Sequence, residues 1–174
     1  MSVAAPPDLR IEALAAHHDR DGFSCGVDSL DRYFRTQASQ DVRRKANGVF
    51  VLVEPERPDV VLGYYTLCAT ALAPGDVPAA ALKHVPRYPL VSATLVGRLA
   101  VSDTRQGERL GAMLLADAVR RAHASAATVG SSMLVVDAIN ERAAAFYEAN
   151  GFVRLPDSLR LVLPMQVIRG LVEP

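Results

Sequence analysis

Gly107 and Gly111 stand four residues apart in the string LAVSDTRQGERLGAMLLADAV, between an apolar run that ends at Val101 and a helical pattern that begins near Glu108. At a helix start the first N–H groups lack intrahelical acceptors and the helix dipole adds partial positive charge, so a strand–turn–helix unit is an anion site. Glycine removes the Cβ that would keep phosphate oxygens away from the backbone. The same two glycines also suit a turn that only packs closely, and the residues alone leave both readings open. The spacing is not G-x-G-x-x-G and no G-K-[ST] follows, so neither a dinucleotide-binding turn nor a P-loop is indicated.

The other residues able to do chemistry are scattered. In DAINERAAAFYEANGF, residues 137–152, Asn140 stands where an N-cap is wanted, Glu141 falls in the first turn and Gly151 follows the end, which describes a capped helix with Phe146 in the core. Arg35, Arg43, Arg44 and Lys45 form one cationic group, and Lys83, His84, Arg87 and Arg98 lie in or just after a proline-rich connection. Such groups can grip nucleic-acid phosphates, with a strong salt dependence, or simply form solvated faces. His17 and His18 adjoin DRD, but consecutive side chains diverge and no third ligand is spaced for a metal, so a solvated loop and no metal are expected. Phe34, Phe50, Tyr64 and Tyr65 are expected to pack the sheet. Cys25 and Cys68 form no CxxC and read as reduced thiols.

These groups need a scaffold, and the composition bounds it. The chain has 174 residues, half of them apolar, enough for one sizeable core, so a single domain over 1–174 is expected. With 19 basic and 19 acidic residues the overall field is near neutral, and any nucleic-acid partner needs a local patch. No basic start leads into an apolar block and no run reaches membrane length, which predicts a soluble, cytoplasmic protein without a membrane partner.

The elements follow from periodicity. Strands are predicted over Leu9–Leu14, in GVFVLVE and VVLGYYTLCATAL as a hairpin, over Thr94–Val101, in SMLVVDA, and as a closing strand in LRLVLPMQVI. Helices are predicted over Val27–Ala46 with one break allowed, as a turn within PAAALKHVPRYPL, from about Glu108 to Ala126, and over Glu141–Asn150. This order describes an α/β chain with a mixed sheet and helices on both faces.

The glycine turn in its full string resembles the pyrophosphate-binding motif of the GNAT acetyltransferase superfamily, Q/R-x-x-G-x-G/A between a strand and a long helix. Gln106, Gly111 and Ala112 match, whereas Arg109 stands where the family often has glycine. The resemblance implies the GNAT fold, with a mixed, mostly antiparallel sheet splayed at the acetyl-CoA site. It implies acetyl-CoA as cosubstrate, with its pyrophosphate on Gln106, Gly107, Glu108, Arg109, Leu110, Gly111 and Ala112. The strand positions Leu99, Ala100 and Val101 would take the pantetheine arm through backbone groups. N-x-x-A-x-x-F-Y-x-x-x-G-F, from Asn140 on, resembles the segment after the fifth GNAT strand, which adds Asn140 to the coenzyme side and puts Tyr147 near the sulfur as general acid. A phenol of pKa about 10 is protonated at pH 7 and has a proton to give a thiolate. No carboxylate announces itself as a base.

The first half extends the resemblance. F-x-C-G-x-x-x-L-D-x-Y from Phe23, with GYYTLCATAL, PRYPLVSATLVGRLAV and the final RLVLPM, is similar to the GNAT toxins of type II toxin–antitoxin systems over nearly the whole chain. That implies a substrate, the free α-amine of the amino acid on a charged tRNA, and a ribbon–helix–helix antitoxin; a homodimer is left open. Arg35, Arg43, Arg44, Lys45, Arg87 and Arg98 are then the candidate tRNA contacts. An α-amine, with a pKa near 7.7–8.0, is partly neutral at pH 7 where a lysine is not, which suits a site without an evident base. An acetyltransferase of a small amine or of a protein N-terminus, and a GNAT-fold binding protein without turnover, are the alternatives.

Overall fold

The computed structural model describes residues 8–172. Its strands are β1 (Arg10–Ala13), β2 (Gly48–Val53), β3 (Gly63–Leu72), β4 (Val91–Val101), β5 (Met133–Asp137), β6 (Val153–Arg154) and β7 (Arg160–Pro164). Its helices are α1 (Asp28–Thr36), α2 (Ala38–Arg43), α3 (Ala79–Leu82), α4 (Leu110–Ala126), α5 (Glu141–Ala149) and α6 (Met165–Val172). The strands hydrogen-bond in the order β1-β2-β3-β4-β5-β7-β6. β4 and β5 run parallel, while β1–β2, β5–β7 and β6–β7 are antiparallel. The mixed α/β class read from the sequence is the one observed. The residues fall into two compact units: one runs to Thr66 and adds Arg98–Leu115, the other holds Leu67–Gly97 and the chain from Ala116 on.

The first unit buries an aromatic-rich core. Leu30, Tyr33 and Phe34 recur at helical spacing on α1 and pack with Phe23, Val51, Val53 and Tyr64. Phe34 and Tyr64 meet at 4.4 Å between ring centroids, and Phe23 edges onto Tyr64 at 5.5 Å. The predicted helical segment is broken once, at Gln37, whose φ of −121° leaves the helix before α2 resumes. Buried Asp41 makes that break stable: it accepts from the Tyr33 hydroxyl at 2.8 Å, from Gln37 Nε2 at 3.1 Å and from Asn47 Nδ2 at 3.0 Å. Those three bonds hold its carboxyl below the usual range against burial. Gly63 opens β3 where a Cβ would lie 2.8 Å from the Ala100 carbonyl oxygen, so this close approach admits no side chain.

In the second unit Leu72, Val77, Val91, Ala93, Met133, Val135 and Val162 form the core. β5 is buried along Met133–Val136, as its unbroken apolar run requires. The closing strand differs from expectation. It stops at Pro164, and MQVI opens α6 instead, because burial at Met165 and Ile168, three apart, has the period of a helix and not of a strand. A short strand, β6, pairs Val153 with Val162 and has no signature in the sequence because two residues carry no periodicity. β4 likewise begins at Val91, three residues earlier than predicted.

Candidate functional site

β4 delivers the chain to the glycine turn. Its ladder with β5 ends at the pair Val96–Val136, while β4 itself runs on to Val101, so Leu99, Ala100 and Val101 continue the strand beyond the last residue paired with β5. Ser102 then caps a 3-10 turn over Asp103–Arg105, accepting from the Thr104 amide. Gly107 follows at φ 83° and Arg109 at φ 60°, both in the left-handed region. Arg109 is the physical reason that α4 starts at Leu110 and not at Glu108: a residue at that φ cannot belong to a right-handed helix. The first intrahelical bond, from the Met113 amide to the Arg109 carbonyl at 3.3 Å, lies beyond Leu110, Gly111 and Ala112, whose amides are therefore first-turn donors. Gly107 and Arg109 are exposed and a Cβ at Gly107 would meet nothing within 4 Å, so the turn opens to solvent.

Side chains brace this turn. Gln106 Nε2 donates to the Cys25 carbonyl at 3.3 Å and to the Val101 carbonyl at 3.5 Å. Arg105 bridges two carboxylates, Glu108 through Nε at 2.7 Å and Glu54 at the end of β2 through Nη1. Glu54 and Arg105 are partly buried and have no signal in the sequence, since a glutamate 51 positions away from its arginine follows no local pattern. Burial, with Asp31 adding to it, pushes the Cys25 thiol up to about 11, so this cysteine is a packed neighbour and not a nucleophile.

In the other unit Asn140 caps α5, its Oδ1 accepting from the Ala143 amide at 2.9 Å. Tyr147 is buried on the same helix, with Phe146 and Phe152 at 5.2 and 5.7 Å between ring centroids. Burial pushes its phenol up to about 12, so it carries its proton at every physiological pH. The carboxylates of this stretch are engaged: Asp137 pairs with Arg160 at 2.7 and 2.9 Å, Glu141 with both nitrogens of the Arg154 fork at 2.7 Å, and Glu148, next to Tyr147, stands 3.8 Å from Arg154 Nη1.

The cations divide. Arg35, Arg43, Arg44 and Lys45 are exposed in the first unit and Arg87 is exposed in the second. Arg98 is different: its guanidinium carbon lies 3.5 Å from the ring centroid of Tyr33.

The histidine pair departs from expectation. His18 is buried, not solvated, and Glu12 supplies a third group, its Oε1 2.8 Å from His18 Nε2 and 3.6 Å from His17 Nε2. β1 brings Glu12 there from six residues away, a proximity that spacing does not announce. The ring nitrogens explain the cluster: His18 Nδ1 accepts from the Ala15 amide at 2.9 Å, so Nε2 bears the hydrogen and donates it to Glu12. A metal on Nε2 would move that proton to Nδ1, where it would face the Ala15 amide and break this bond. The His18–Glu12 bond holds the Glu12 carboxyl below its ordinary range. Phe34, Tyr64 and Tyr65 are fully buried, as expected of sheet-packing aromatics.

With this geometry stand four likenesses. The model of the acetyltransferase (GNAT) domain matches residues 46–154. A tRNA-acetylating toxin of Mycobacterium tuberculosis is 34% identical over 155 residues, covering 88% of this chain and 90% of its own. The structure of AtaT complexed with acetyl-methionyl-tRNAfMet matches with a TM-score of 0.86 at 32% identity, over 94% of this chain and 99% of that one. A tyrosine-to-phenylalanine variant of AtaT, bound to the C-terminus of the antitoxin AtaR and to acetyl-CoA, matches with a TM-score of 0.82 at 30% identity, over 96% and 99%.

Proposed function

This chain belongs to the GNAT acetyltransferase family, and on that premise we propose that it acetylates the free α-amine of the aminoacyl group on charged tRNA and so blocks translation. The observation that carries the reading is the turn. Gly107 and Arg109 in left-handed conformation and the first-turn amides of Leu110, Gly111 and Ala112 form an open anion cradle at the end of β4. That donor set fits a pyrophosphate, and the substrate class is supported by the tRNA named for the relatives.

Acetyl-CoA supplies a thioester carbonyl open to attack by an amine. The chain's part is to hold and to protonate. The turn binds the phosphates, with Gln106 and Arg105 keeping it in shape. The backbone amides near Leu99–Val101 stand as donors to negative charge developing on the carbonyl oxygen. Tyr147 keeps its phenolic proton and offers it to the sulfur as the C–S bond breaks, while the attacking amine gives up a proton to solvent. An α-amine is already partly neutral near pH 7.5, so no dedicated base is needed.

An antitoxin of the ribbon–helix–helix type is proposed as the partner that silences the enzyme, in line with the toxin–antitoxin assembly among the relatives. No helix among the described residues is long and apolar enough to cross a membrane, and we place the enzyme in the cytoplasm with its substrate. The test is transfer of labelled acetyl from acetyl-CoA to a panel of charged tRNAs, free amines and N-terminal peptides. Label on the aminoacyl α-amine, with growth arrest on induction, supports the reading. Label on free amines or peptides alone overturns it.

A further inference from the structure

The segment between β3 and β4 carries a groove that neither the turn nor Tyr147 accounts for. Its volume is about 500 Å³, and Leu82, Val85 and Val91 line it together with Lys83, Arg87 and Tyr88. Tyr88 is 65% exposed and Leu90 beside it 61%. A large ring held in water on a folded surface is a ready stacking face. No carboxylate lines the groove, and neither Lys83 nor Arg87 belongs to an ion pair among the described residues. Pro78, Pro86 and Pro89 fix φ at three positions of the segment, and His84 Nδ1 meets Gln166 Oε1 of α6 at 2.9 Å.

The complement of this surface is an anion that also offers flat apolar faces. That describes a nucleotide. Inside a double helix the base faces are stacked on one another and closed to a side chain, whereas an unpaired strand can lay a base on an aromatic ring and its phosphates on flanking cations. We infer that the groove receives unpaired 3′-terminal nucleotides of the charged tRNA, a base on Tyr88 and phosphates on Lys83 and Arg87. This rests on the proposed tRNA substrate and adds to it a docking site for the end that bears the amino acid.

The test compares Tyr88→Ala, Tyr88→Phe and the pair Lys83→Ala with Arg87→Ala against the parent, using charged tRNA and acetyl-CoA. Tyr88→Ala is expected to raise KM for charged tRNA about tenfold, with KM for acetyl-CoA unchanged and Tyr88→Phe close to the parent, since the ring and not the hydroxyl stacks. The pair is expected to lower the salt slope of RNA binding by about 0.7 for each phosphate that the two cations no longer neutralise. Parental KM and salt slope in both Tyr88→Ala and the pair, in an enzyme that does acetylate charged tRNA, overturn the groove and leave the substrate reading intact. A parent that acetylates no charged tRNA removes the substrate reading and this inference with it. Loss of self-association by sedimentation in Tyr88→Ala, at unchanged KM, assigns the groove to a second copy of the chain and also overturns the inference.

Discussion

The guanidinium carbon of Arg98 stands 3.5 Å from the ring centroid of Tyr33, and the hydroxyl of that same ring donates to buried Asp41 at 2.8 Å. Cation, ring and carboxylate form one stack that ties β4 to α1 and α2. Arg98 is therefore engaged in holding the fold, whatever it also does for RNA. Arg98→Ala is expected to lower the stability of the protein by about 1–2 kcal/mol, the worth of a partly desolvated cation–π interaction, as read from urea midpoints. An unchanged midpoint with a raised KM for tRNA would make Arg98 a phosphate ligand first.

Arg109 occupies a left-handed position at φ 60° where glycine is the natural residue. A side chain there costs about 1–2 kcal/mol, and glycine returns about 0.5–1 kcal/mol of that as backbone entropy. Arg109→Gly is thus expected to stabilise the fold by roughly 0.5–1 kcal/mol while weakening acetyl-CoA binding, because it removes a cation next to the phosphate cradle. A variant that is more stable and binds acetyl-CoA as well as the parent would leave the arginine without a role in the coenzyme site.

Gly111 lies among the first-turn amides of α4. Gly111→Leu places a branched side chain against the anion cradle and is expected to reduce acetyl-CoA affinity by at least about tenfold, with α4 intact because leucine is the better helix former. Calorimetric titration with acetyl-CoA reads this directly, and parental affinity would move the pyrophosphate elsewhere.

Tyr147→Phe removes one oxygen from a buried ring and keeps its packing against Phe146 and Phe152. Single-turnover transfer to charged tRNA should slow by about a hundredfold to ten-thousandfold, the usual worth of a general acid, with acetyl-CoA affinity little changed. A rate within about threefold of the parent would assign the proton to water or to another group.

The same phenol predicts an alkaline limb of stability. Burial raises its pKa from 10.0 to about 12, and it raises those of Tyr33 and Tyr64 as well. The unfolded chain loses these protons first, so the contribution is complete below pH 10 and is lost as pH climbs from 10 toward 12. For Tyr147 the difference is about 2–3 kcal/mol. Denaturant midpoints should fall steeply above pH 10, and less steeply in Tyr147→Phe.

How much of the molecule is legible in the sequence depends on the range of the interaction. The strand, the glycine turn and α4 can be read in line because their signals are local: apolar alternation, two glycines, an i, i+3, i+4 stripe. The cap at Asn140 is equally plain, since its partner amide is three residues away. The sequence also carries the family motif and with it the chemistry expected of Gln106–Ala112 and Tyr147. What only the tertiary structure decides are the meetings of residues distant in the chain. The Glu54–Arg105 pair, the Asp41 hub under Arg98, and Glu12 closing on His18 all join side chains whose spacing obeys no period. The switch from strand to helix at Met165 belongs there too. MQVI is apolar enough for either, and the choice falls to which face the rest of the unit can bury.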